Sequence, residues 1–225
     1  LHDGGIFSFM RGDCRGPFKR FAKEDEMHKF GRLLGMGLVA FALIAPIKAN
    51  AAEVYFIRGF MNVFSRGMDQ MTAQLKARGV NAKSLSNGQW SSVASDIIKR
   101  YRQGRASCPI VIAGHSVGGQ EAPKFADTLA KAGVPVSLVI GVDPGFAPPP
   151  PFTAGSPKVV NFWIKGSARG NPYRSTGGFH GSIQNIDIRS FSNADHVGID
   201  KDPRVQSRIV GQVMSALGSG GSCGG

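Results

Sequence analysis

Apolar positions along this chain alternate between two periods. Glu53–Arg58, Val80–Leu85, the run opening at Ile110-Val111-Ile112, Val136–Val142, Lys158–Ile164 and Ile183–Ile188 are short and rich in β-branched or aromatic residues, and they predict strands. Between them apolar residues recur at helical spacing: Met68, Met71 and Leu75 within residues 68–78, then Val93, Ile97 and Tyr101, then Ala122, Phe125, Ala126 and Leu129. A last helix has a clear start, with Asp202 as cap and Pro203 in the first helical position. Val205, Ile209, Val213 and Leu217 form its stripe. Strands alternating with helices predict an α/β domain, a doubly wound and mostly parallel sheet covered on both faces, over residues 52–217. Stripes of this kind are core, so no chemistry is assigned to them.

The chemistry begins where one strand ends. Ile110-Val111-Ile112-Ala113 runs into Gly114-His115-Ser116-Val117-Gly118, and a helix-compatible segment follows. A serine on a sharp strand-to-helix corner projects its Oγ from the sheet edge, and the helix directs unpaired N–H groups toward charge developing beside it. Gly-x-Ser-x-Gly also arises by chance in a chain with 31 glycines, so the flanking strand and helix carry the reading.

A serine hydroxyl needs a base, and the base needs an orienting carboxylate. Asp143 stands at the end of the Val136–Val142 strand, in Asp143-Pro144-Gly145, and His196 stands in the polar loop Asn193-Ala194-Asp195-His196 before the last helix. Asp143 is read as that acid, the alternative being that it caps a turn through Pro144-Gly145, with Asp187 and Asp195 as reserve acids. His115 lies inside the corner itself, and His2 and His28 precede the domain. His180, in a glycine-rich loop, is the alternative base or a pocket-rim residue. For the oxyanion, the N–H of Val117 has a candidate partner in the N–H of Phe60, just past the Glu53–Arg58 strand; alternatively Gly59 makes a tight turn and Phe60 covers core. The proline-rich stretch from Phe146 to Phe152 predicts a stiff pocket wall offering both phenylalanines, and residues 165–182 a mobile second wall or an ordinary surface loop. With no large helical insertion, a comparatively open groove is expected.

These residues resemble the α/β-hydrolase superfamily in its lipase, esterase and thioesterase region, over roughly residues 53–217. The Gly-His-Ser-x-Gly form and the chain order Ser116, Asp143, His196 carry the resemblance. It implies a compact α/β-hydrolase-like three-layer sandwich with Ser116 as nucleophile, Asp143 as acid and His196 as base. Members often have His-Gly after an early strand, where this chain has Arg58-Gly59, so the resemblance is weaker at that donor.

Ahead of the domain, residues 27–51 read as a secretory signal peptide: His28, Lys29 and Arg32, an apolar stretch from Leu33 to Pro46, and a small-x-small site at Ala49-Asn50-Ala51. The stretch is shorter than the roughly 20 residues that span a bilayer, so no stable membrane span is expected. Residues 1–26 read as an upstream extension, and residues 218–225 as a flexible Gly/Ser tail. The full chain carries a net charge of +12, and residues 52–225 stay positive at +9. The basic residues are dispersed and match no nucleic-acid module, so the charge predicts loose attraction to acidic surfaces and no specific nucleic-acid partner. In an oxidising compartment Cys108 and Cys223 are free to pair. No Cys, His and carboxylate spacing resembles a metal site, and the chemistry calls for no cofactor.

The expected function is a secreted or periplasmic serine hydrolase acting on a small-molecule or lipid-like carboxylic ester or thioester through an acyl-enzyme. The contrasting reading is a non-catalytic binding or structural protein on the same scaffold.

Overall fold

The computed structural model describes residues 52–63 and 65–219. The upstream extension, the export segment, Cys223 and residues 220–225 of the tail lie outside the described residues. Six strands, β1 (Glu53–Ile57), β2 (Asn81–Leu85), β3 (Ile110–His115), β4 (Leu138–Val142), β5 (Lys158–Trp163) and β6 (Ser182–Asp187), form one sheet in the order β2-β1-β3-β4-β5-β6. Every neighbouring pair is parallel. The helices are α1 (Arg66–Lys76), α2 (Trp90–Arg102), α3 (Val117–Lys131) and α4 (Pro203–Gly218).

Because successive strand residues face opposite sides, each central strand feeds two cores. Val54 and Phe56 of β1 join Met68, Met71 and Leu75 of α1 and Val205, Ile209 and Val213 of α4 on one face. Tyr55 and Ile57 join Ile97 of α2 and Phe125 and Leu129 of α3 on the other. The result is the doubly wound, three-layer α/β sandwich expected from the two periods. Asp202 caps α4 by accepting from the N–H groups of Arg204 and Val205. Among the described residues, no helix is long and apolar enough to cross a membrane.

Pro123 lies within α3 and has no N–H to give to the carbonyl of Gly119 one turn earlier. The hydroxyl of Tyr173 takes that place, donating to Gly119 O at 2.6 Å. Tyr173 is buried, its ring fills the space above Gly141 of β4 where a Cβ would stand only 2.5 Å away, and Asn185 of β6 clamps both its N–H and its C=O. Asn185 also pairs with its register partner Asn161. The segment between β5 and β6, expected as a mobile wall or plain surface loop, is thereby strapped to the sheet and to α3.

Candidate active site

The strand order reverses direction between β1 and β3, so the chain leaves their ends toward opposite faces and opens a crevice there. Ser116 sits at that point with φ 56° and ψ −119°, a conformation in which L-residues are strained. The corner closes only with glycines around it: a Cβ on Gly114 would stand 2.2 Å from Gly118 O, and one on Gly118 would stand 2.3 Å from Ile57 O.

Three side chains from three strand-end segments meet at this corner. Ser116 Oγ is 2.9 Å from His196 Nε2, and His196 Nδ1 is 2.7 Å from Asp143 Oδ2. The carboxylate only accepts, so Nδ1 carries the hydrogen and Nε2 is left to accept from the serine hydroxyl. Asp143 is fully buried, and its other oxygen accepts from Ile164 N–H at 2.9 Å. It is therefore not a turn cap. Asp187 caps the turn after β6 and pairs with Arg189, while Asp195 accepts from Gly198 N–H, so neither reserve acid reaches the imidazole.

A second histidine lies beside the first, with ring centroids 5.3 Å apart. His115 Nε2 is 2.8 Å from the carbonyl oxygen of His196, which only accepts; Nε2 therefore donates and Nδ1 is bare. Ser65 Oγ–H donates to that Nδ1 at 2.8 Å, and Ser65 Oγ accepts from Gly59 N–H at 2.7 Å. Burial, reinforced by the neighbouring His196 and opposed by the carbonyl contact, pushes the His115 imidazole down to about 4, so it stays neutral. One determinate proton chain thus joins the loop after β1 to the backbone of the base. Reading the sequence for a base passed over His115 and missed Ser65; a histidine closing a buried β-branched strand was the available signal.

Engaging Gly59 N–H leaves the next one, that of Phe60, at the opening of a 3-10 turn, while Val117 N–H opens α3; first-turn N–H groups have no acceptor within their own helix. Gly59 packs against Ser116, with a would-be Cβ 2.9 Å from the serine Cβ, which brings this loop beside the nucleophile. Phe60 is exposed and lines the cleft, so it does not cover core.

The cleft over Ser116 holds about 170 Å³, walled by Phe60, Phe146, Val197, His115 and Arg169. A shallower groove of about 540 Å³ continues past His196 along Ile164, Ala168 and Ala194. Phe146 stands edge-on to the His196 ring at 5.9 Å. Phe152 does not line the cleft: it is fully buried against Tyr173 and Phe179, because the proline run carries the chain back under the sheet before β5 starts. His180 is also displaced from the site. It is exposed just before β6 begins, whereas the triad gathers at the opposite, C-terminal ends of the strands. Arg169 lies 5.9 Å from the Phe146 ring centroid.

Beneath the His196 loop, buried Asp200 accepts from Gly67 N–H at 2.7 Å at the start of α1, where Ser65 is committed elsewhere. Burial pushes its carboxyl up to about 6, against the pull of Gly67 N–H and of Lys201. Cys108 is buried and disulfide-bonded. Among the described residues, no group of three His, Cys, Asp or Glu side chains is placed to hold a metal.

The sequence matches no protein-family model and no curated protein. Solved structures are similar in fold. Human thioesterase 2 superposes with a TM-score of 0.50 at 12% identity, over 76% of this chain and 99% of that one. The NocB thioesterase domain from the nocardicin cluster gives 0.46 at 14% identity over 75% and 94%, and Est1E from Butyrivibrio proteoclasticus 0.46 at 12% over 75% and 89%. The chain has the α/β-hydrolase fold, and its site is a Ser–His–Asp triad.

Proposed function

We propose that this protein is an exported serine hydrolase that cleaves carboxylic ester or thioester bonds through an acyl-enzyme. The unbroken line from Ser116 Oγ to His196 at 2.9 Å and on to Asp143 at 2.7 Å carries the reading. His196 Nε2 takes the hydroxyl proton as Oγ bonds to the substrate carbonyl carbon, and Asp143 stabilises the imidazolium. The N–H groups of Val117 and Phe60 hold the oxyanion. Collapse expels the alcohol or thiol, which takes the proton from His196. A water then gives its proton to His196 and its oxygen to the acyl carbon, releasing the acid and free Ser116.

The apolar cleft suits an acyl chain, and its limited volume with the groove beyond favours small or lipid-like esters. Export is supported by the segment over residues 27–51 and by the disulfide at Cys108, since such bonds persist in oxidising compartments. The test is labelling with a fluorophosphonate together with hydrolysis of p-nitrophenyl esters of graded acyl length. Ser116→Ala is expected to abolish labelling and lower kcat on the order of 10⁶-fold. A folded wild-type protein that neither labels nor hydrolyses would leave the scaffold with a binding role only.

A further inference from the structure

Four non-glycine residues among those described have a left-handed backbone: Met61 (φ 55°), Ser116 (φ 56°), Asp143 (φ 44°) and Phe146 (φ 70°). Two belong to the triad. Of the other two, Phe146 lines the cleft and Met61 directly follows the cleft residue Phe60, and each leaves a large apolar side chain 62% exposed. Strain of this kind is retained where the conformation itself is used. Exposure singles out the same place. Of five exposed large apolar residues among those described, Phe60 and Phe146 line the cleft, Met61 and Val63 follow Phe60 in the loop after β1, and Met214 lies on α4. The cleft wall adds one permanent charge, Arg169, and no carboxylate; Arg66, exposed, follows the cleft residue Ser65 directly. Along the adjoining groove, the carboxylate of Asp195 is engaged by Gly198 N–H. The chain as a whole is strongly cationic, at +12.

We propose that this rim is a docking surface for an anionic lipid–water interface: Met61, Val63 and Phe146 insert among acyl chains, Arg169 and Arg66 meet the headgroups, and the cleft opens onto ester presented at that surface. The inference deepens the hydrolase reading by naming how substrate is met, and it rests on that reading only for the chemistry. An apolar patch with basic residues beside it is the composition of interfacial anchors. Nucleophile and rim share one face, so docking delivers the acyl ester to Ser116 without a lid movement.

The test separates docking from catalysis. In the full-length chain, Met61→Trp gives an indole at the rim, and its emission is expected to shift to the blue on vesicles mixing phosphatidylcholine with phosphatidylglycerol, far more than on phosphatidylcholine alone. Ser116→Ala in the same background should keep the shift while losing hydrolysis, so failure of the chemistry and failure of docking are read apart. In the otherwise native chain, Met61→Ser with Val63→Ser should lower hydrolysis of a long-chain ester carried in the anionic vesicles by about tenfold or more, since burying each side chain is worth at least about that factor. Its rate on a short dissolved ester should stay unchanged. Absence of a blue shift, an equal shift on both vesicle types, a shift on concentrating the protein without lipid, or an equal loss on the dissolved ester would each overturn the proposal. The third of these would assign the rim to a second copy of the chain.

Discussion

The surroundings of His196 and of His115 put the same side chain to two uses within one contact distance. His196 meets a buried carboxylate at Nδ1 and a hydroxyl at Nε2, so a proton arriving on the ring is stabilised by charge. His115 meets a carbonyl at Nε2 and a hydroxyl at Nδ1, and burial outweighs the carbonyl's pull and holds the ring neutral. Burial keeps one imidazole neutral as a fixed strut, and a carboxylate partner equips the other as a base. The sharpest way to break this contrast is to take the charge from beside His196. In Asp143→Asn the side-chain amide donates to Nδ1, forcing the hydrogen onto Nε2, which then faces Ser116 with a donor. We expect kcat to fall about 10⁴-fold with KM little changed, measured on a short p-nitrophenyl ester. A loss within tenfold would mean that Asp143 is not the orienting acid.

The converse experiment removes the strut. His115→Phe keeps a ring but deprives the His196 carbonyl of its donor and Ser65 Oγ of its acceptor, loosening the base and the loop that carries Phe60 together. Displacement of a catalytic group by about 1 Å is worth on the order of 10² in rate, and that is the expected loss in kcat, again with KM little altered. His115→Gln, whose amide can still donate to the carbonyl, should recover part of it. A folded His115→Phe enzyme at full kcat would reduce the relay from Gly59 through Ser65 and His115 to mere packing.

The same contrast explains what could be read from the chain before its structure. The elements were legible because apolar period marks burial: each strand falls within about two residues of its expected span, each helix contains its expected stripe, and Val205, Ile209 and Val213 face the core as their stripe requires. Ser116, Asp143 and His196 were legible because the chemistry demands those types at strand ends in that order. The second histidine was not, because a polar residue in a strand announces neither its partners nor its protonation; Ser65 and the His196 carbonyl are 50 and 81 residues away in sequence. The walls were legible in part, since Phe146 and Arg169 line the cleft as expected, while what holds them was not. Composition makes residues 165–182 look loose, yet Asn161, Asn185 and the Tyr173 hydroxyl fix that segment through side-chain pairings that no local pattern encodes. Phe152 shows the opposite error. Proline content predicted its stiff path but not that the path re-enters the core.

The smallest effect is a pH signature that distinguishes the strut from the capping acid below it. His115 has its folded value near 4 against an ordinary 6.5, so the unfolded chain binds its proton first as pH falls; its contribution to stability is full above about 6.5 and is lost from there down to about 4. Asp200 runs the other way. Its folded value near 6 lies above 3.8, so the unfolded chain releases its proton first as pH rises, and stability is lost between about 4 and 6. Each slope is roughly 1.4 kcal/mol per pH unit, and across the shared window from about pH 4 to 6 they oppose each other. Relative to wild type, the urea midpoint of Asp200→Asn should therefore climb as pH rises through that window, and that of His115→Phe should fall. Parallel profiles for the two variants would show that His115 is not held neutral, and with it would go the distinction between the two imidazoles.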